Sequence, residues 1–204
     1  MNEKQLYIIR HGETDFNRKG IVQGRGMDTA LNATGREQAA AFYAAYRHIP
    51  FDQVYTSALV RTAQTVQSFI EAGLPVQKMA GLDEFNWGLF EGRAFGEFHQ
   101  DYNRLVHSWK QGEYATSPPQ GESPLEVAAR QKPVIQLLEN NPAKTLLVCM
   151  HGRAMRLLLC LLLGRPYAEM DQFEHSNLSL YQLSYSAGQW TLLKANDTAH
   201  LSLL

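Results

Sequence analysis

Leu6-Tyr7-Ile8-Ile9-Arg10-His11-Gly12-Glu13-Thr14 is the stretch on which the reading of this chain turns. A short apolar run ends in a cation, an imidazole and a glycine. Its length, its apolar content and the glycine that stops it predict a buried strand over Leu6 to Arg10. In an open parallel sheet, ligands bind beyond the carboxyl ends of the strands. His11 stands at such an end. A lone histidine there is usually a hydrogen-bonded structural residue, so the neighbouring segments decide what it does.

Downstream, Asp15 to Asp28 is polar and contains Gly20, Gly24 and Gly26, which predicts a loop at the strand end, where function gathers. Thr34-Gly35-Arg36-Glu37 has the pattern of a capping box and predicts a helix from Thr34 to Tyr46, closed by Pro50. Gln53 to Thr56 reads as a second strand. Ser57 is placed to cap a helix over Leu59 to Ala72, which Gly73 and Pro75 end. Pro75 to Met79 reads as a third strand. Ser123-Pro124-Leu125-Glu126 is a second capping box, with proline at the first helical position. Its helix should reach Glu139, with Pro133 kinking it or starting a new segment. Thr145 to Met150 is an apolar strand broken by His151-Gly152, and Arg153 to Leu163 a buried helix. Ser179 to Tyr185 and Trp190 to Lys194 flank the turn Ser186-Ala187-Gly188-Gln189 as a hairpin.

Strands alternate with helices, the signature of an α/β domain with a largely parallel sheet, to which the hairpin adds an antiparallel strand. Between Gly81 and Gly121, aromatic residues interleave with charges. Phe95, Phe98, Tyr102, Leu105, Val106 and Trp109 follow helical spacing, which fits a helix packed on the core and also a lid over a site.

The chain has 204 residues, 45% hydrophobic and 19% charged, enough for one domain with a full core. A net charge of −1 carries no electrostatic footprint for nucleic acid. Met155 to Leu163 is the longest greasy stretch, contains Arg156, and falls well short of the roughly 20 apolar residues a membrane span needs. Met1 to Gln5 is polar, and Leu6 to Ile9 is too short for a signal sequence. Cys149 and Cys160 lie in apolar runs without metal-ligand spacing, as in a reducing cytoplasm.

Phosphoryl transfer needs a nucleophile or positioned water, cations around the phosphoryl oxygens and an acid for the leaving alkoxide. His11, Arg61, Glu84 and His151 each fall near the end of a predicted strand, and His151 precedes a helix N-terminus, which favours phosphate. Arg10-His11-Gly12-Glu13-Thr14 with Asn17, Gln23-Gly24, Ser57 to Thr65 around Arg61, Leu82 to Gly88 around Glu84, Gly121-Glu122-Ser123 with Arg130, and Val148 to Gly152 with Arg156 together resemble the histidine phosphatase superfamily, which also contains the cofactor-dependent phosphoglycerate mutases. Asn177 with Ser179, and Asn196 to Leu201, are similar to its phosphatase branch.

The resemblance implies a phosphoglycerate mutase-like fold: a three-layer α/β/α sandwich whose mostly parallel sheet has about six strands, one antiparallel. It implies one domain over 1–204, with 85–122 as a lid-like insertion. His11 becomes the nucleophile that carries phosphohistidine, fixed through its other nitrogen by a backbone carbonyl. Arg10, Arg61 and His151 hold the phosphoryl oxygens, helped by Asn17, Gln23, Gly24 and the Gly152 N–H. Glu84 protonates the leaving alkoxide and then activates water. No cofactor and no metal is expected. The expected partner is a small phosphomonoester, with neither nucleic acid nor membrane; a homodimer is left open.

Arg153 departs from the family pattern, where a small or apolar residue often follows His-Gly. His48 is expected to be solvated, His175 and His200 structural, and His99 and His107 lid residues. Mutases carry adjacent arginines in a longer insertion, whereas Phe90 to Gly121 offers only the separated Arg93, Arg104 and Lys110. The reading is therefore a phosphomonoesterase. A phosphoglycerate mutase is the first alternative and a non-catalytic phospholigand-binding module the second.

Overall fold

The computed structural model describes residues 3–202 and 204. Six strands form one sheet: β1 (Lys4–Arg10), β2 (Gln53–Thr56), β3 (Val76–Lys78), β4 (Thr145–Met150), β5 (Leu180–Ser186) and β6 (Gln189–Asp197), in the order β3-β2-β4-β1-β5-β6. β1 to β4 run parallel, and β5 lies antiparallel to both β1 and β6. The sheet expected from the sequence, mostly parallel with one antiparallel strand, is the one found.

Alternation along β1 explains the layers, because successive side chains of a strand face opposite sides. Leu6 and Ile8 enter one core, with Leu146 and Val148 of β4, under α6 (Pro124–Asn140) and α7 (Gly152–Leu162). Tyr7 and Ile9 enter the other, with Leu147 and Cys149, under α2 (Ala33–Tyr46), α3 (Val60–Thr65) and α4 (Gln67–Glu71). Both cores are apolar, so β1 and β4 read as continuous hydrophobic runs.

Several local expectations are corrected. The segment Asp15 to Asp28, expected to be a loop, holds a short helix, α1 (Asp15–Arg18), because Thr14 and Asn17 form a reciprocal cap. α2 is capped by Asn32 rather than Thr34. The Asn32 side chain accepts from the Gly35 N–H at 2.8 Å and donates to Glu13 at 2.7 Å, so it is anchored from both sides. The helix expected over 59–72 breaks at Val66 into α3 and α4. Thr65 Oγ1 donates to the Arg61 carbonyl at 2.7 Å and accepts from the Gly12 N–H at 3.0 Å, and such back-bonding bends helices. α6 instead runs unbroken through Pro133. Proline removes the donor for the Ala129 carbonyl, but both residues lie on the exposed face. Its Ser123 capping box is present as read, with the Glu126 N–H on Ser123 Oγ and Glu126 Oε2 on the Ser123 N–H.

The aromatic-rich segment forms a 3-10 turn (Phe95–Glu97) and then α5 (His99–Lys110), which starts later than its spacing suggested. Phe85, Trp87, Phe90, Phe98 and Trp109 are buried in the same core as α6 and α7. Phe90 and Phe98 stack with ring centroids 4.4 Å apart. At the hairpin, Ala187 (φ 51°) and Gly188 (φ 81°) take the left-handed backbone of a primed turn, whose twist matches that of its strands.

Candidate active site

The sheet register assembles the site. Arg10 pairs with Met150 across β1 and β4, so His11 and His151 leave the sheet side by side, with ring centroids 5.1 Å apart. Thr56 pairs with Cys149 across β2 and β4, which brings Ser57 to His151. Three strand ends thus converge at one edge, as open α/β sheets favour.

Each histidine is fixed in one tautomer by its partners. His11 Nδ1 lies 2.7 Å from the Gly12 carbonyl. A carbonyl only accepts, so Nδ1 carries the proton and Nε2 presents a lone pair. Burial, then the cations Arg61 and Arg10, hold His11 well below the ordinary histidine range, which keeps it neutral. The carbonyl anchor is the one anticipated from sequence. His151 Nδ1 accepts from Arg61 Nε at 3.2 Å, so its Nε2–H donates to Ser57 Oγ at 2.8 Å. Burial, Arg61 and His11 likewise push His151 well down.

Arg61 is fully buried at the start of α3, donating to the Met27 carbonyl at 2.7 Å and the Gly24 carbonyl at 3.3 Å. Gly24 therefore grips Arg61 through its backbone and does not face the cavity described below. A side chain at Gly24 would come 2.0 Å from Glu91 Oε1 and 2.4 Å from the Phe85 carbonyl. Gln23 lines the cavity and donates to Thr14 Oγ1 at 2.7 Å.

Glu84 occupies the N-terminus of α7, where the sequence favours phosphate. Its carboxylate accepts from the Arg153 N–H at 3.1 Å and the Ala154 N–H at 2.8 Å, at the N-terminus of α7, and from its neighbour Phe85 at 2.9 Å. These donors are therefore satisfied within the protein, and the adjoining Gly152 is the part of the helix start that lines the cavity. Arg130 of α6 holds the peptide carrying Glu84, donating to the Asp83 and Glu84 carbonyls at 2.9 Å each.

These groups surround a cavity of about 350 Å³. Arg10, His11, Asn17, Gln23, Glu84 and Gly152 line its polar floor. Ile21, Val22, Trp87, Phe95 and Tyr102 form an apolar wall, and Arg153, Arg156 and His175 a basic one. Arg61 and His151 are fully buried and lie outside this lining, with His151 beside His11. Arg10 Nε is buried with no partner among the described residues, a donor left for an anion. Burial lowers the Arg10 guanidinium to about 10, against the opposing pull of Glu84.

His175, expected from sequence to be structural, instead faces the site. It lines the cavity, its Nδ1 accepts from Arg10 Nη1 at 3.2 Å, and its ring blocks any side chain at Gly152. Burial and then Arg10 lower it to about 3. Its one sequence signal is its place two residues before Asn177, which donates to the His11 carbonyl at 2.9 Å. Asp171, which binds both wall arginines, was also missed. His48, His99 and His107 are exposed and away from the cavity, and His200 packs against Phe42 and Tyr46.

No helix among the described residues is long and apolar enough to cross a membrane. Comparison with known proteins places this geometry in a family. The chain is 32% identical over 207 residues to "Probable phosphoglycerate mutase GpmB" of Yersinia enterocolitica, covering 98% of this chain and 95% of that one. Its fold matches mycobacterial glucosyl-3-phosphoglycerate phosphatase in complex with VO3 at a TM-score of 0.82, with 29% identity over 96% of this chain and 100% of that one. The alpha-ribazole phosphatase from Shigella flexneri matches at 0.82, with 27% identity, covering 95% and 96%. A family model of the histidine phosphatase superfamily (branch 1) spans residues 6–198, and the chain belongs to that superfamily.

Proposed function

We propose that this chain is a metal-independent phosphomonoester hydrolase that acts on a small phosphorylated metabolite through phosphohistidine at His11. The observation that carries the reading is a neutral His11, its Nδ1 tied to the Gly12 carbonyl and its Nε2 free, on the floor of a cavity that Glu84 shares. In the first step Nε2 attacks phosphorus, the phosphorus–alkoxide bond breaks, and Glu84 passes its proton to the departing oxygen. In the second, Glu84 takes a proton from water, the hydroxide attacks phosphorus, and the phosphorus–nitrogen bond breaks. Arg10, Asn17 and the Gly152 N–H hold the phosphoryl oxygens. Arg61 supplies positive potential from behind the lining, in place of a metal, and His151 holds its guanidinium in position. The segment 85–122 acts as a lid through Trp87, Phe95 and Tyr102. A reducing cytoplasm, in keeping with the two buried free cysteines, belongs to the same proposal.

The mutase reading has one observation in its favour, the relatives that carry that name. Against it, none of the lid cations Arg93, Arg104 and Lys110 lines the cavity. A side-by-side assay decides. Purified protein should release inorganic phosphate from a panel of phosphomonoesters and leave 2- and 3-phosphoglycerate without interconversion. Fast interconversion with little phosphate release would replace the phosphatase with the mutase. Tight binding without either reaction would leave a binding module.

A further inference from the structure

The basic wall of the cavity holds more positive charge than its own carboxylate balances. Asp171 Oδ1 accepts from Arg153 Nη1 at 2.5 Å and from Arg156 Nη1 at 2.9 Å, and Lys110 lies 3.6 Å from its other oxygen. One carboxylate therefore faces three cations. The Arg153 and Arg156 side chains are only 6% and 19% exposed, so water does little to screen them. Burial and then the neighbouring Arg153 lower the Arg156 guanidinium, whereas against burial Tyr102 and Asp171 raise that of Arg153, so Asp171 serves Arg153 more than Arg156.

Arg153 is also built into place. Its guanidinium carbon lies 5.7 Å from the Tyr102 ring centroid and 5.6 Å from that of Trp109, and it donates to the Tyr102 hydroxyl. Of five N–H donors on each guanidinium, among the described residues Arg153 uses two, on Asp171 and the Tyr102 hydroxyl, and Arg156 uses two, on Asp171 and the Phe173 carbonyl. Donors remain on both, beside a cavity that His11 shares.

We infer that Arg153 and Arg156 form a second anion subsite, so that the alcohol half of the substrate carries its own carboxylate or phosphate. The inference rests on the phosphomonoesterase reading of the cavity and names its substrate class. Arg153 is then a specificity-determining residue, and the phosphoryl-holding groups remain those around His11. The aromatic residues Tyr102 and Trp109 fix the guanidinium from the lid side, which ties substrate choice to the segment 85–122.

Binding to a His11→Ala variant tests this apart from turnover. The probes are 3-phosphoglycerate against glycerol 3-phosphate for a carboxylate, and fructose 1,6-bisphosphate against fructose 6-phosphate for a second phosphate. The doubly anionic member of at least one pair should bind about tenfold tighter or more, as charge-assisted bonds to a poorly solvated guanidinium provide. Adding Arg153→Met should shrink that ratio to about twofold, and Arg153→Lys should restore part of it. Equal or unmeasurable affinities within both pairs overturn the subsite, as does a ratio that Arg153→Met leaves intact. If the methionine variant fails to fold, the ratio in the His11→Ala protein decides. Phosphate release by the unmodified enzyme separates the two readings. A retained binding preference without any hydrolysis removes the phosphatase and keeps the subsite, whereas hydrolysis of both members of each pair without a binding preference does the reverse.

Discussion

His11 and His151 are buried neutral among arginines, and this makes the fold acid-sensitive. Both are held below the ordinary histidine value, so between that value and their folded values the unfolded chain binds protons that the folded chain refuses. Stability rises with pH wherever the unfolded state binds more protons. The contribution is therefore complete above about pH 6.5 and is lost as pH falls below it, by up to about 1.4 kcal/mol per pH unit for each histidine. Urea unfolding should show a drop of a few kcal/mol between about pH 6.5 and 5, and a flat profile there would contradict the neutral assignment. Arg61 gives a different expectation. Its partners are two carbonyls and an imidazole, none carrying a full charge. Arg61→Ala gives up those bonds but also relieves the desolvation of a buried cation, so stability should change by only about 1–2 kcal/mol. A pre-organised cation near the transferring phosphoryl group contributes about 3 kcal/mol to catalysis, so kcat should fall about a hundredfold or more. A large loss of melting temperature with kcat nearly intact would make Arg61 a structural residue.

Among the elements, the C-terminal end of α6 is held by a side chain of β1. Lys4 is buried and donates from Nζ to the carbonyls of Leu138, Glu139 and Asn141, the last at 2.7 Å, where a helix end leaves its acceptors unpaired. Lys4→Met should lower unfolding free energy by about 1–3 kcal/mol, read by chemical denaturation, with kcat unchanged. An activity loss out of proportion to destabilisation would mean that α6 moves Glu84 through Arg130. The strands at the centre of the sheet were legible because burial on both faces writes a continuous apolar run. Gln53–Thr56 and Thr145–Met150 have the bounds expected from sequence. The break at Val66 was not legible, since Thr65 takes the Gly12 N–H from far along the chain, and at the start of α2 two cap candidates, Asn32 and Thr34, competed locally until Glu13 anchored Asn32. Distance along the chain also hid His175 and Asp171, whose neighbours Arg10, Arg153 and Arg156 belong to other elements. Motif residues at strand ends were legible because a strand end is itself a local signal.

At the scale of the whole molecule, the site is a product of sheet order. β4 lies between β1 and β2, so two strands remote in sequence set His11 and Ser57 on either side of His151. α7 then follows β4 directly and offers its first N–H groups to Glu84, while the lid segment shares a core with α6 and α7. In the proposed reaction this arrangement makes His11 a phosphoryl acceptor whose phosphate goes to water. Rapid acid-free quenching of the enzyme with phosphoryl-labelled substrate, followed by peptide mapping and a chase, tests it directly. Label should appear on His11, be absent from His11→Ala, and leave as inorganic phosphate in the chase even when phosphoglycerate is added. Label on His151, or a stable phosphoenzyme discharged to bisphosphoglycerate, would contradict it.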